Sequence, residues 1–189
     1  MSSIKNKLYV QNLSNKQPTK DITFDDIKYK IKKITSKKEK VVNVSKDVFF
    51  SKKNIPLIAG PNGVESRELI FKVAKFLKSQ GVKILRGHAY KPLTFPYRSK
   101  TYKESMSQGM EWLDEVKRYT GMKIVTEVTE IKYLDKICST ADILQIGSRN
   151  MQNLELLREC ALTNKTIILK RHFGASLRDM LGAAEHILV

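Results

Sequence analysis

The sequence has few cysteines, and their spacing matches no metal-binding or redox motif. Cys138 and Cys160 are the two in 189 residues, and both lie in segments with a helical pattern. The sequence therefore does not indicate a cysteine-ligated metal centre. We expect two reduced thiols in the core of a cytoplasmic protein.

Long hydrophobic runs are also absent. No apolar stretch approaches the roughly 18 residues of a membrane-spanning helix. The first residues, MSSIKNKLYVQNLSNK, lack the apolar core and the small-residue cleavage site of a signal peptide. We therefore expect no membrane partner. With 41% hydrophobic and 29% charged residues, the composition is ordinary for one globular domain.

Acidic residues are scarce, since 19 Asp and Glu face 35 Lys and Arg, for a net charge of +16. Residues 1–53 alone contain 14 Lys against 5 acidic residues. Such a balance suits an anionic partner. However, the cluster YKIKKITSKKEK contains no Arg and no aromatic platform for stacking bases. We favour a solvated basic surface, and a nucleic-acid-binding module remains a third hypothesis after the two given below.

The chain divides by pattern into two parts. Residues 1–40 are predicted to form a basic N-terminal extension with one amphipathic helix, which Thr23 caps and which places Phe24, Ile27 and Ile31 on one face. Residues 41–50 are predicted to form one or two short strands. From Pro56 onward, short apolar strands alternate with helical segments.

Five strand–helix units follow one another in this second part. The predicted strands are 56–60, 83–87, 123–128, 142–147 and 166–170. Short, mostly apolar strands of this kind are typical of a parallel sheet covered by helices. Both an open doubly wound sheet and a (β/α)₈ barrel fit the pattern. In either fold, ligands bind where the strands end.

Charged side chains follow the ends of these strands. They are Arg86 and Lys91 after the second strand, Glu127 at the end of the third, Arg149 after the fourth and Lys170 at the end of the fifth. Several cations at one edge repel one another unless an anion lies between them. Arginine and lysine are the usual ligands of phosphate and carboxylate groups. The pattern therefore predicts a site for a phosphorylated or polycarboxylate metabolite.

The first strand ends in the corner GPNGVES, residues 60–66. It is not a P-loop, because the Gly-Lys-Ser/Thr ending is missing. We hypothesise that its glycines let a ligand approach the backbone, and that the amide of Asn62 is a ligand or hydrogen-bonding group.

Five motifs carry a family resemblance. IAGPNGVES, ILRGHAYKP, IVTEV, DILQIGSRNMQN and ILKR resemble, in order and spacing, the barrel core of 3-deoxy-D-arabino-heptulosonate 7-phosphate (DAHP) synthases. The resemblance covers residues 41–189 and is to the subgroup related to 3-deoxy-octulosonate 8-phosphate synthases. It implies a (β/α)₈ barrel that condenses phosphoenolpyruvate with erythrose 4-phosphate, in aromatic amino-acid biosynthesis by the shikimate pathway.

The resemblance also implies roles for residues. The residues matching the family's phosphoenolpyruvate-binding cations are Arg86, Lys91, Arg149 and Lys170, with Glu127 near the phosphate. Lys91 is our candidate for protonating the aldehyde oxygen. Asn62 stands at a catalytic position. Pro92 and Thr94 belong to the acceptor-binding motif.

Four departures from the family pattern bear on activity. Asn62 replaces a metal-binding Cys, which argues against a required divalent metal. Leu93 replaces an Arg that holds the aldehyde substrate. His88 and His172 replace small residues, and each histidine alone is more often incidental than functional. Together the changes indicate an altered acceptor or an impaired enzyme.

Five units do not close an eight-unit barrel, so we expect an incomplete barrel that forms a homo-oligomer or pairs with a complementing subunit. The first hypothesis is a DAHP synthase-like transferase. The alternative is a catalytically impaired paralogue that binds phosphoenolpyruvate, or one subunit of a split synthase.

Overall fold

A short hairpin precedes the main sheet. The computed structural model describes residues 41–91 and 105–188. β1 (Val42–Ser45) pairs antiparallel with β2 (Val48–Phe50), and the register shifts between Asn43 and Ser45. The sequence predicts one or two strands here, and the structure has two. The predicted helix near Thr23 lies outside the described residues.

The main sheet has five parallel strands. They are β3 (Ile58–Ala59), β4 (Ile84–Arg86), β5 (Lys123–Val128), β6 (Ile143–Ile146) and β7 (Thr166–Leu169), and they lie side by side in sequence order. A doubly wound sheet would reverse its strand order at a switch point. The sequential order excludes that alternative and is the arrangement of a (β/α) barrel.

Helices connect and follow the strands. They are α1 (Arg67–Ser79), α2 (Met106–Thr120), α3 (Leu134–Thr140), α4 (Leu154–Leu162) and α5 (Leu177–Leu188), with single 3₁₀ turns at Ile131–Tyr133 and Ser148–Asn150. Ser66 caps α1 by accepting a hydrogen bond from the Leu69 amide at 3.2 Å. Gly121 ends α2 in the left-handed conformation. The five predicted units are confirmed, although β3 and β4 are shorter than predicted.

The sheet has a helix-covered face and a hairpin-covered face. Residues such as Leu85, Ile124 and Leu144 pack with the helices in the larger core. A smaller core on the other face joins Val48 of the hairpin to one residue each of β4, β5 and β6, namely Ile84, Val125 and Ile143. Because side chains alternate along a strand, each strand contributes to both cores.

The sequence predicts an apolar stripe on α1 made of Leu69, Ile70, Val73, Phe76 and Leu77, and this prediction is partly wrong. Leu69 and Phe76 are 39% and 63% exposed, whereas Ile70 and Ala74 are buried. The face toward the sheet is therefore rotated toward Ile70 and Ala74. Met106, which begins α2, is 38% exposed.

The two cysteines are free thiols. Cys160 is buried and Cys138 half-buried, and burial raises the pKa of Cys160 to about 12. Among the residues that the structure describes, no helix has the length and apolar character needed to cross a bilayer.

Candidate anion-binding site at the carboxyl edge of the sheet

The hairpin-covered face of the sheet changes from apolar to polar along the strands. Two residues beyond Ile84 and Val125, which pack on the hairpin, the strands present Arg86 and Glu127. A spacing of two keeps a side chain on the same face of the sheet. The hairpin thus covers the amino halves of the strands, and the polar groups gather at their carboxyl ends.

The next strands continue this polar layer. Glu127 lies beside Gln145 in the β5–β6 register, and Gln145 lies beside Ile168 of β7. Lys170 follows two residues after Ile168, and its amide donates to the Ile146 carbonyl at 3.0 Å. Arg86, Glu127, Gln145 and Lys170 therefore project from one face of four adjacent strands.

Arg86 is tied to the corner after β3. Its Nη2 donates to the Gly60 carbonyl at 3.3 Å. Its Nε is buried and has no hydrogen-bond partner among the described residues. A buried guanidinium N–H without an acceptor is costly, so this donor is available to a ligand oxygen.

Contacts within the protein explain why residue 60 is a glycine. Its φ is +142°, and a Cβ there would overlap the Arg86 carbonyl oxygen. The close approach at this glycine is between two strand ends. The hypothesis that the glycine admits a ligand is therefore not needed at Gly60, because packing between β3 and β4 explains it.

Glu127 lies at the centre of the polar layer. It is 8% exposed. Burial raises the pKa of its carboxyl, while Lys170, Arg149, the hydrogen bond from Gln145 and Lys91 act in the opposite direction. Three cations from three separate segments are thus within electrostatic range of one carboxylate.

His88 is buried next to Glu127. Its Nδ1 accepts a hydrogen bond from the Glu127 amide at 2.9 Å, and the residue is 1% exposed. Burial, together with the charges of Arg86, Lys170 and Lys91, lowers the pKa of His88 to about 3. The imidazole is therefore neutral at physiological pH.

The structure gathers the predicted cations. Arg86 and Lys91 are half-buried, whereas Arg149 and Lys170 are exposed; each acts electrostatically on His88, on Glu127 or on both. Asn62 is exposed in the loop between β3 and α1. Pro92 and Thr94 lie outside the described residues.

Gln145 is a residue of this layer that the sequence analysis missed. Its Nε2 donates to Glu127 Oε2 at 3.4 Å and lies 3.3 Å from His88 Nε2. The sequence feature that could have identified it is that Gln145 is the one polar residue between the apolar residues of DILQIG. A buried glutamine at that point requires polar neighbours, which the strand alternation supplies.

The described residues do not form a metal centre. In 41–91 and 105–188, no group of three or more His, Cys, Asp or Glu side chains could hold a metal ion. The neutral amide of Asn62 is a weaker ligand than the thiolate at that position in the family.

A cavity of about 270 Å³ lies at the opposite end of the sheet. It is formed by the hairpin, the segment before β3 and the start of β4, and its lining includes Val48, Leu57 and Lys83. Of the predicted site residues that the structure describes, none lines it. The anion site is thus distinct from this cavity.

The fold and the site together define a class: proteins of the (β/α)-barrel type with a cationic binding site at the carboxyl edge of the sheet. The DAHP synthetase I family model matches residues 30–189. The chain belongs to the DAHP synthetase I family. The match begins inside the segment 1–40, and the boundary between extension and barrel stays a prediction.

Named relatives agree with this assignment. The chain is 42% identical over 141 residues to a phospho-2-dehydro-3-deoxyheptonate aldolase of Thermotoga maritima, covering 75% of this chain and 41% of the relative. It is 32% identical over 136 residues to 2-dehydro-3-deoxyphosphooctonate aldolase 1 of Arabidopsis thaliana, covering 69% and 47%.

Solved structures show the same fold. The crystal structure of the Thermotoga maritima DAHP synthase matches with a TM-score of 0.74 and 37% identity, over 82% of this chain and 43% of that chain. A truncated form of that synthase matches with a TM-score of 0.70 and 36% identity, over 82% and 54%. The chain spans less than half the length of the curated relatives named above.

Proposed function

We propose that this chain binds phosphoenolpyruvate at the carboxyl edge of its sheet and condenses it with an aldose phosphate, such as erythrose 4-phosphate. The observation that carries the proposal is the convergence of Arg86, Lys91, Arg149 and Lys170 on the buried pair His88 and Glu127. Membership of the DAHP synthetase I family supports the choice of reaction.

The cations suit the charge of this substrate. Phosphoenolpyruvate carries a phosphate and a carboxylate, and four cations from three strand ends offer a matching positive region. Fixed charges at the place where substrate charge develops also stabilise a transition state. The buried Nε of Arg86 is a donor for one of the substrate oxygens.

Lys91 is proposed to protonate the aldehyde. The enol carbon of phosphoenolpyruvate attacks the carbonyl carbon of the aldose phosphate, whose C=O π bond opens to an alkoxide that needs a proton. Water adds to the cationic carbon that bears the phosphate, and loss of inorganic phosphate and a proton then gives the keto acid. Lys91 follows β4 at the same edge as Arg86, so it can reach both substrates there. Asn62 is proposed to hydrogen-bond at this centre, and Pro92 and Thr94 to contact the acceptor.

Two measurements test the proposal. Calorimetric titration with phosphoenolpyruvate should show saturable binding, and adding erythrose 4-phosphate should release inorganic phosphate. Binding without phosphate release with any aldose phosphate would instead favour the alternative of a phosphoenolpyruvate-binding protein without catalysis. Absence of binding would overturn both.

Assembly with a second copy or a complementing subunit is part of the proposal. Sedimentation analysis, with and without phosphoenolpyruvate, measures it directly. A monomer that turns over both substrates would contradict this part alone.

A further inference from the structure

Glu127 is confined on several sides. Its amide donates to His88 Nδ1 at 2.9 Å, and its Oε2 accepts from Gln145 Nε2 at 3.4 Å. On the Oε1 side, a Cβ at Gly147 would overlap the carboxylate. A side chain held through its backbone, through one oxygen and by steric contact has little freedom to rotate.

The amide contact settles the tautomer of His88. An imidazole nitrogen that accepts an N–H hydrogen bond carries no proton itself. In the neutral ring the proton is therefore on Nε2, which lies 3.9 Å from Glu127 Oε2 and 3.3 Å from Gln145 Nε2. Gln145 Nε2 donates to that carboxylate oxygen at 3.4 Å, whereas the Nε2–H of His88 lies beyond hydrogen-bond distance of it.

The His88 ring also takes the place of one backbone acceptor between β4 and β5. Gly87 donates its amide to the Val125 carbonyl at 3.0 Å, as a continuation of β4. The next amide on β5 on that side, from Glu127, pairs with the His88 ring instead of a backbone carbonyl. The side chain thereby fixes the backbone at the point where the carboxylate leaves the strand.

The charged groups around His88 come from several elements. Arg86 belongs to β4, Lys91 follows it, Glu127 is on β5, and Lys170 follows β7. Gln145 on β6 is uncharged. These cations oppose a positive charge on the ring, so the neutral ring acts here through the hydrogen bond that it accepts from the Glu127 amide.

We propose that His88 is a positioning residue, which holds the Glu127 carboxylate at a fixed place among the cations of the anion site. The proposal concerns Glu127 and stands without any ligand. Only its consequence for phosphoenolpyruvate affinity rests on the proposed function. A carboxylate that leaves this place changes the field that attracts an anion.

A simple space-filling role makes different predictions. A filler could be replaced by Leu, which has similar bulk, without any effect on Glu127. A positioning residue could not, because Leu cannot accept the hydrogen bond of the Glu127 amide. Asn is the intermediate case, since its Oδ1 can accept from the amide in the place of Nδ1.

The first experiment uses the unaltered chain and needs no ligand. Long-range ¹H–¹⁵N correlation spectra between pH 5 and 8 should show one histidine fixed as the Nε2–H tautomer, absent from the spectrum of His88→Asn. An imidazolium signal or an Nδ1–H tautomer for His88 in this range would overturn the proposal.

The second experiment measures the ionisation midpoint of Glu127 by ¹³C NMR of its carboxyl group. His88→Leu leaves the Glu127 amide without its acceptor, so the carboxylate should move away from the cations that lower its pKa and the midpoint should rise; for His186→Leu on α5 it should not change. An unchanged midpoint in His88→Leu would show that His88 only fills space. If His88→Leu does not fold, His88→Ala is compared in the same way, since it also lacks an acceptor for the Glu127 amide.

The third experiment measures phosphoenolpyruvate affinity by calorimetry across pH. His88→Leu should bind about tenfold more weakly, His88→Asn should recover part of the loss, and the pH dependence should shift with the Glu127 midpoint. The ionisation of the ligand itself is the same for all variants. If the unaltered chain does not bind phosphoenolpyruvate, the proposed function fails, while the two NMR measurements still decide the role of His88.

Discussion

The carboxylate of Glu127 lies directly against Gly147, so that a Cβ at residue 147 would overlap Oε1. Glu127 is the last residue but one of β5 and Gly147 follows β6, strands that pair in parallel. The glycine therefore provides the space in which the central carboxylate of the anion site rests.

Gly147→Ala should displace Glu127 and destabilise the protein. We expect a loss of about 1–3 kcal/mol in the free energy of unfolding, as for other overpacked sites, together with weaker phosphoenolpyruvate binding. Chemical denaturation and calorimetry measure the two effects.

Gly182→Ala is the matched control for that change. Gly182 lies within α5, and nothing is within 4 Å of a Cβ placed there. Alanine is favoured over glycine in a helix by about 1 kcal/mol, so this variant should be as stable as the parent or more stable. A similar loss in both variants would contradict the packing explanation.

Gly60→Ala should be more damaging than Gly121→Ala. Both glycines have positive φ, but only at Gly60 would the new Cβ overlap backbone, namely the Arg86 carbonyl. Gly121→Ala should cost about 1 kcal/mol for the left-handed conformation, and Gly60→Ala should cost distinctly more. Equal losses in a denaturation experiment would show that the β3–β4 contact relaxes without effect.

Lys170→Ala and Arg149→Ala should each weaken phosphoenolpyruvate binding by about tenfold or more, since each removes a charge-assisted contact of roughly 1.5–3 kcal/mol. Arg158→Ala, on the exposed side of α4, serves as the control for the loss of one positive charge. Calorimetry that gives the same affinity for all three variants would remove Lys170 and Arg149 from the site.

Folding stability should fall on acidification because of His88. Its pKa is lowered from 6.5 to about 3 in the folded protein, so below pH 6.5 the unfolded chain takes up a proton that the folded chain does not. The stability present above pH 6.5 is then lost as the pH falls, by about 2 kcal/mol between pH 6.5 and 5.

His88→Asn isolates this contribution. Glu127 has the opposite sign, because its raised pKa favours the folded state below 4.5 and loses that effect as the pH rises through the folded value. The difference between parent and variant in denaturation curves from pH 7 to pH 4 should decrease toward low pH. A constant difference would mean that His88 ionises in the folded protein.

Much of this fold could be predicted because each unit repeats a local pattern. Apolar runs such as KIVTEV and TIILK became strands β5 and β7 with nearly the predicted bounds. The rotation of α1 toward Ile70 and Ala74 could not be predicted, because a broad apolar stripe leaves open which of its residues faces the sheet.

The candidate site, too, could be predicted only in part from the sequence. The cations could be identified from their positions after apolar runs, since parallel strands bring their carboxyl ends together. The roles of Gln145 and His88 could not be predicted, because they depend on which side chains become neighbours across the sheet. His88 is 39 residues from Glu127 and 57 residues from Gln145 in the sequence.

The sequence by itself determined five strand–helix units, a basic character and a set of cations at the strand ends, because strand and helix periodicity and charge are local properties. Only the tertiary structure decided the sequential strand order, the contact between Gly147 and Glu127, and the neutral state of His88. These depend on the distances, burial and electrostatic fields that arise when separate strands are packed side by side.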